Sequence, residues 1–207
     1  KSFLTLLNQI KGYQYYAFCD QDDVWHSNKL EKAICSIEKI KKPALYCSNY
    51  QLVDCNLNKL KDNGHFSSTD FYSSIVFSNA TGCTMIFNNI LKEKLSLYFP
   101  NFIVMHDDWC HKVCLAIGGI VIYDNEKTID YRQHDNNVDG GIHSFWHKIK
   151  FLYKRITNKD NLRSRQLHEI VLGYSNIMSK DKINFIETIY FSQTDKKNIK
   201  YRKYILK

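Results

Sequence analysis

Hydrophobic and polar positions along the first 140 residues follow two different periods. Apolar residues three and four apart are typical of amphipathic helices, and short continuous apolar runs are typical of buried strands. The pattern predicts helices at about 3–10, 30–41, 71–77, 90–98 and 109–117, and strands at about 13–19, 44–53, 83–87, 120–123 and 128–131. Strands that alternate with helices favour an α/β sheet covered by helices, with ligands at the carboxyl ends of the strands.

From residue 142 onward the pattern changes to an amphipathic, basic helix. Residues 142–207 carry a net charge of +10 and residues 1–141 a net charge of −2, out of +8 for the whole chain. A boundary near Gly140-Gly141 is therefore predicted, between a motif-bearing body (1–141) and a basic helical tail (142–207). The apolar stripe of this tail consists of Ile142, Phe145, Trp146, Ile149, Leu152, Tyr153 and Ile156.

Composition narrows the class of protein further. With 44% hydrophobic and 14% aromatic residues, the chain can bury a core. It contains no apolar run of the roughly 18 residues that a membrane span needs, and its first residues do not resemble a signal peptide, so we expect a cytosolic protein. Its seven cysteines include no CxxC pair, which favours a reducing compartment over a disulfide scaffold. His106, Cys110 and Cys114 share a helical face but lack the second pair of ligands that a closed zinc site needs.

The first candidate for chemistry is Asp20-Gln21-Asp22-Asp23, directly after the predicted strand 13–19. Three carboxylates in four residues repel one another unless a cation neutralises them. Mg²⁺ or Mn²⁺ takes one or two carboxylates and leaves its other positions to water and substrate phosphates. A solvated acidic turn is the alternative. A calcium loop of the EF-hand type is disfavoured, because Val24 replaces a ligand and Trp25 replaces the required glycine.

The second candidate is His106-Asp107-Asp108-Trp109 at the start of a predicted helix. Either carboxylate could act as the general base that deprotonates an incoming hydroxyl group. The alternative is simple capping, because a helix N-terminus favours negative charge.

The third candidate is Tyr131-Arg132-Gln133-His134-Asp135-Asn136-Asn137, directly after a predicted strand. Arg132 could pair with phosphate oxygens, and a neutral His134 could complete a metal shell or bond a diphosphate. The alternative is a solvated loop.

Four segments stand in one order along the chain: Phe18 to Trp25, Thr81 to Met85, His106 to Trp109 and Tyr131 to Val138. Together they resemble family 2 glycosyltransferases, and most of all the bacterial rhamnosyltransferase-type branch that builds O-antigen, capsule and cell-wall polysaccharides. The resemblance covers about residues 1–140 and implies a partial GT-A fold. Family members begin with a strand, a Tyr-Asn-type turn and a further Asp that hold the nucleotide base, and this sequence starts after them, so we expect a truncated chain.

The resemblance also implies roles for individual residues. Asp22 matches the metal ligand of the family's DxD pair, and Asp20 lies nearer the donor's ribose or diphosphate. Asp107 stands where the family has its catalytic base, whereas Asp108 departs from the aromatic residue that is common there, so both carboxylates stay candidates. The donor side further includes Asp23, Trp25, Arg132 and His134, with His134 approaching the metal. The acceptor side includes Gly82, Cys83, Thr84, His106 and Trp109.

The resemblance implies an enzyme that transfers a sugar from a nucleotide-diphosphate donor to a saccharide or lipid-linked acceptor and inverts the anomeric centre. The first donor that it suggests is dTDP-rhamnose. A divalent cation, Mg²⁺ or Mn²⁺, would be the cofactor. The tail predicts peripheral binding to the anionic inner face of the plasma membrane. An inactive truncated remnant is one alternative. A basic nucleic-acid-binding module is another, but it would leave the acidic body without a role, so no nucleic-acid partner is predicted.

Overall fold

The computed structural model describes residues 2–61, 67–76, 80–133 and 162–194. They belong to two compact units, one within Lys1–Phe99 and Met105–Ile142 and the other within Pro100–Val104 and His143–Lys207. His134 and the stripe 142–156 lie outside the described residues, and the boundary near Gly140-Gly141 stays a prediction.

A mixed five-stranded sheet forms the centre of the first unit. The strands are β1 Tyr15–Ala17, β2 Val24–Trp25, β3 Ala44–Val53, β4 Ile86–Asn88 and β5 Ile120–Arg132. The helices are α1 Ser2–Gln9, α2 Lys29–Ile37, α3 Phe71–Val76, α4 Asn89–Leu95 and α5 His106–Ala116. The order across the sheet is β1-β4-β3-β5-β2, and β3 runs parallel to β5 while the other neighbours are antiparallel.

Strand β3 is the strand that the apolar pattern predicts best, and it lies in the middle of the sheet. Leu45 and Tyr46 are fully buried, and Ala33 and Ile37 of α2 pack against this part of the sheet. Burial on both faces explains why β3 appears in the sequence as a continuous apolar run rather than an alternating one.

Strand β5 differs from the prediction of two short strands at 120–123 and 128–131. The polar residues between them stay in the ladder, since Ser48 pairs with Asp124 and Asn49 with Lys127 across an irregularity in the register. Parallel pairing with β3 satisfies the backbone whatever the side chains are, so the polar stretch does not end the strand.

The prediction of a strand at 83–87 is only partly right. Strand β4 begins at Ile86, and a 3₁₀ turn at Gly82–Thr84 precedes it. The backbone N–H of Thr84 and its hydroxyl group both donate to the carbonyl of Thr81, at 3.0 and 2.8 Å. This local bonding competes with strand pairing and produces the turn. Strand β2, of two residues, is too short for the pattern to show.

In the second unit, the described residues 162–194 are mainly helical. The other described segment, 100–104, is bound by their side chains: Gln166 accepts from the N–H of Val104 at 2.6 Å, and Glu169 accepts from that of Asn101 at 3.0 Å. None of the helices in the described residues is long and apolar enough to cross a membrane. The helices of this unit are α6 Leu162–Tyr174 and α7 Lys180–Thr194. The predicted α/β class with a helical tail is thus confirmed.

Candidate active site

Three segments that the sequence singled out meet in the first unit. Residues 20–23, here called the acidic loop, follow β1; the 3₁₀ turn Gly82–Thr84 precedes β4; and Asp107 lies in the first turn of α5. The N–H of Gly82 donates to Oδ2 of Asp107 at 3.0 Å. The negative charge of Asp107 in turn contributes to a raised pKa at Asp20. The acidic loop, the 3₁₀ turn and the start of α5 therefore form one site.

Asp107 is a largely buried carboxylate with fixed orientation. Its Oδ2 accepts from Gly82, and its Oδ1 accepts from the N–H of Asp108 at 2.7 Å. Burial raises the pKa of Asp107 to about 6, although these two backbone bonds oppose the rise. At neutral pH the group is thus ionised, yet its pKa is close enough to 7 for it to accept a proton efficiently.

Asp108, the neighbouring carboxylate, has a different environment. It forms an ion pair with Lys112, one helical turn further on, whose side chain is almost wholly buried. The negative charge of Asp108 is therefore compensated within α5 itself.

His106 closes the site on the side of α1. Its ring stacks on Phe3 with centroids 4.2 Å apart, and it meets the edge of Phe18 at 4.8 Å. Burial lowers the pKa of His106 to about 4, with Asp20 opposing this shift, so the imidazole is neutral at pH 7. These contacts with two aromatic side chains restrict the movement of the neutral ring.

The carboxylates of the acidic loop are partly buried and crowd one another. Burial raises the pKa of Asp20; His106 opposes this, and Asp22 and Asp107 add to it. Burial also raises the pKa of Asp23. The loop thus holds more negative charge than its surroundings stabilise.

Asp23 has one satisfied and one poorly satisfied oxygen. Its Oδ1 accepts from the N–H of Arg132 at 3.0 Å. Its Oδ2 is buried and accepts no bond from any N–H or O–H group of the described residues, although the Cys83 thiol acts on this carboxyl as a weak donor. A buried carboxylate oxygen without a strong donor is suited to a cation.

The residues present fit a divalent cation. Ligand atoms of Asp20, Asp23 and Cys83 lie within 4.8 Å of one another. Burial raises the pKa of the Cys83 thiol far above neutral pH, and Mg²⁺ and Mn²⁺ prefer oxygen ligands, so the two carboxylates would hold the ion. Asp22, which the resemblance names as the metal ligand, is not a member of this group, and its role stays a prediction.

Two other residues of the predicted donor side support the acidic loop from behind. Arg132 donates from Nε to the carbonyl of Asp22 at 2.9 Å and from Nη1 to that of Cys55 at 2.6 Å. Trp25 packs against the buried cluster that contains Tyr50 and Ile129. A contact of either residue with the donor stays a prediction, and His134 is outside the described residues.

Only some of the residues predicted to bind the acceptor line the other side of the site. Gly82 approaches so closely that a Cβ built there would lie 2.9 Å from Nε2 of His106. Cys83, Thr84 and Trp109, in contrast, are fully buried. They shape the turn and the base of α5, and direct acceptor contacts by them stay a prediction.

Sequence reasoning missed Lys29 at the start of α2. Its side chain is only 1% exposed. Its Nζ donates to the carbonyl of Cys83 at 2.7 Å and lies 4.8 Å from the centre of the Trp25 ring. The available signal was a lysine six residues after Asp23, at the point where an amphipathic helix begins.

Comparison with known proteins agrees with the motifs. The chain is 29% identical over 174 residues to a dTDP-rhamnosyl transferase of Shigella flexneri, covering 75% of this chain and 55% of that protein. It is 28% identical to uncharacterized glycosyltransferases of Rickettsia typhi and Rickettsia prowazekii, covering 62% of this chain and 42% of each. The chain is similar to glycosyltransferases. It spans about half the length of the curated relatives it matches, and the resemblance stated from its motifs is confirmed.

Among solved structures, this glycosyltransferase-like chain is similar to TarS of S. aureus in a complex with UDP-GlcNAc. The TM-score is 0.42 at 13% identity, and the match covers 91% of this chain and 58% of that one. No protein-family model matches the chain.

Proposed function

We propose that this chain carries the catalytic centre of an inverting glycosyltransferase, which moves a sugar from a nucleotide-diphosphate donor to a hydroxyl group of a saccharide or lipid-linked acceptor. The observation that carries the proposal is Asp107. It is a largely buried carboxylate with a pKa of about 6, oriented by two backbone N–H groups and located beside the acidic loop.

Asp107 acts as the general base. It removes the proton of the acceptor hydroxyl while that oxygen attacks the anomeric carbon of the donor. The bond between this carbon and the diphosphate breaks, and the nucleoside diphosphate leaves with the bonding electron pair. A single displacement of this kind inverts the anomeric centre.

Asp107 is favoured over Asp108 because of their surroundings. Asp108 is paired with the buried ammonium group of Lys112, which already compensates its negative charge. The strongest influence on Asp107 is burial, which increases its affinity for a proton. Proton transfer therefore goes to Asp107.

The donor binds at the acidic loop. Asp20 and Asp23 would hold a divalent cation there, together with Asp22. Such an ion would supply Lewis-acid stabilisation of the leaving diphosphate. The similarity to a dTDP-rhamnosyl transferase supports rhamnose as the transferred sugar. Arg132 keeps the loop in place through the carbonyl of Asp22.

The protein works at the cytoplasmic face of the plasma membrane, in the synthesis of surface polysaccharides such as O-antigen or capsule. Lipid-linked acceptors are located at this surface. The basic composition of residues 142–207 supports attraction to its anionic lipids.

The decisive experiment compares Asp107→Asn with Asp108→Asn, using the full reading frame that contains this sequence. Asp107→Asn should lower kcat by roughly 10² to 10⁴ with nearly unchanged donor affinity, as expected for loss of a general base. In the unsubstituted enzyme kcat/KM should fall as pH drops through about 6, because Asp107 then takes up a proton. The Asp107→Asn variant should lack this limb of the pH profile.

The result that contradicts the assignment is equally specific. If Asp108→Asn abolishes turnover and Asp107→Asn does not, the base is Asp108. If the unsubstituted protein binds a nucleoside diphosphate but transfers no sugar to any saccharide or lipid-linked acceptor offered, the chain is an inactive remnant.

A further inference from the structure

Lys29 is a buried cation to which the proposed reaction assigns no role. It belongs to α2, outside the motifs that resemble glycosyltransferases, and its side chain reaches into the site from beneath the acidic loop. Burial lowers the pKa of Lys29 to about 8, with the negative charge of Asp23 among the groups that oppose the shift. The ammonium form thus prevails at neutral pH, although a buried charge costs free energy unless it is paired.

The partners of this ammonium group are well defined. Nζ donates to the backbone carbonyl of Cys83 at 2.7 Å, and the face of Trp25 lies 4.8 Å away. The short bond ties α2 to the 3₁₀ turn Gly82–Thr84. Hydrogen bonds from a charged donor are roughly twice as strong as neutral ones, so this bond is a strong link between α2 and that turn.

The same turn also contacts the base. Gly82 directly precedes Cys83 in this turn, and its backbone N–H donates to Oδ2 of Asp107 at 3.0 Å. Lys29 and Asp107 are therefore hydrogen-bonded to two adjacent residues of one short turn. A shift of this turn changes the direction of the Gly82 N–H and releases one of the two bonds that orient the carboxylate.

We propose that Lys29 is a positioning residue for the general base: its ammonium group holds the carbonyl of Cys83 and thereby aims the N–H of Gly82 at Asp107. This inference rests on the proposed role of Asp107. Lys29 also contacts Trp25 and interacts with the charge of Asp23, both on the predicted donor side of the site. The geometry of the base therefore also depends on how Lys29 packs beside the acidic loop.

A double-mutant cycle between Lys29 and Asp107 tests the proposal. Lys29→Met keeps the length and apolar stem of the side chain and removes its charge and its donor. If Lys29 acts through Asp107, the substitution should lower kcat roughly tenfold in the unsubstituted enzyme and less than about twofold in the Asp107→Asn background. Donor KM should change little in both backgrounds.

The matched control is Lys32→Met, three residues further along α2. Lys32 is about one-third exposed and pairs with Glu126, so its substitution should leave kcat unchanged in both backgrounds. Thermal unfolding of each variant reports whether it is folded. If Lys29→Met does not fold, the cycle is run with Lys29→Arg, whose larger cation displaces the contact with Cys83 while keeping the charge, and the same criterion applies.

The outcomes separate the two proposals. Equal losses of kcat from Lys29→Met in both backgrounds would mean that Lys29 acts independently of Asp107 and would overturn this inference, while the proposed function stands. If Asp107→Asn alone leaves kcat unchanged, the proposed role of the base fails, and the positioning role of Lys29 fails with it.

Discussion

Gly82 is the position where the smallest chemical change should disturb the base most. A Cβ built on Gly82 lies 2.9 Å from Nε2 of His106 and 3.4 Å from Cβ of Asp107. The His106 ring stacks on Phe3 and contacts Phe18 edge to face, which restricts its movement away from Gly82. In Gly82→Ala, therefore, the 3₁₀ turn must move, by about 0.5 Å if carbon and nitrogen are to reach an ordinary contact distance.

The size of the effect follows from the bond that this turn carries. The distance of 3.0 Å between the Gly82 N–H and Oδ2 of Asp107 would grow to about 3.5 Å, beyond the useful range of such a bond. A hydrogen bond to a charged group contributes about 1.5 to 3 kcal/mol. If it orients the base in the transition state, its loss lowers kcat by roughly 10- to 100-fold.

The assay is steady-state release of nucleoside diphosphate, measured for Gly82→Ala beside Gly12→Ala. Gly12 has a φ of +89°, and a Cβ built there would meet no other part of the protein within 4 Å, so its substitution strains the backbone and lowers Tm without touching the site. Only Gly82→Ala should lower kcat. Turnover of Gly82→Ala within twofold of the unsubstituted enzyme would refute the idea that the Gly82 N–H orients Asp107.

Two further predictions concern the cation and the tail. Binding of dTDP, followed by calorimetry, should require Mg²⁺ or Mn²⁺ and should lose this dependence in Asp22→Asn or Asp23→Asn, because the acidic loop then has fewer oxygen ligands; equal affinity in EDTA would contradict a metal site. Co-sedimentation with vesicles should rise with anionic lipid, fall with salt and weaken when Phe145 and Trp146 are replaced by Ser; equal recovery in the supernatant with neutral and anionic vesicles at low salt would contradict membrane docking.

The sequence predicts those elements in which burial produces a regular pattern of apolar residues. Strand β3 was predicted with its observed bounds because both of its faces are covered, which leaves a continuous apolar run. For β5 the pattern predicts two strands because Asp124 to Lys127 are polar, and nothing local shows that β3 will pair with them. For the 3₁₀ turn it predicts a strand, since threonine, whose hydroxyl group closes the turn from Thr84 to Thr81, is common in strands too.

The candidate site likewise contains residues that the sequence predicts and residues that it does not. Asp20 and Asp107 could be singled out from the sequence, because clustered carboxylates after a strand or at a helix start have few explanations. Lys29 and Arg132 could not be given their observed contacts, since these are backbone carbonyls of Cys83, Asp22 and Cys55. A carbonyl has no signature in the sequence, and its position depends on the whole fold.

Two adjacent carboxylates at the start of α5 can take different roles because the fold treats them differently. Asp108 has its cation built into the helix, in the buried side chain of Lys112. Asp107 accepts bonds from the backbone N–H groups of Gly82 and Asp108, and burial raises its pKa to about 6. A helix dipole favours negative charge at both positions, so it cannot distinguish them. The distinction comes from Lys112 and from Gly82, and Gly82 is itself next to the residue that Lys29 holds. In the proposed mechanism, the identity of the base is therefore determined by residues outside the His106-Asp107-Asp108-Trp109 motif.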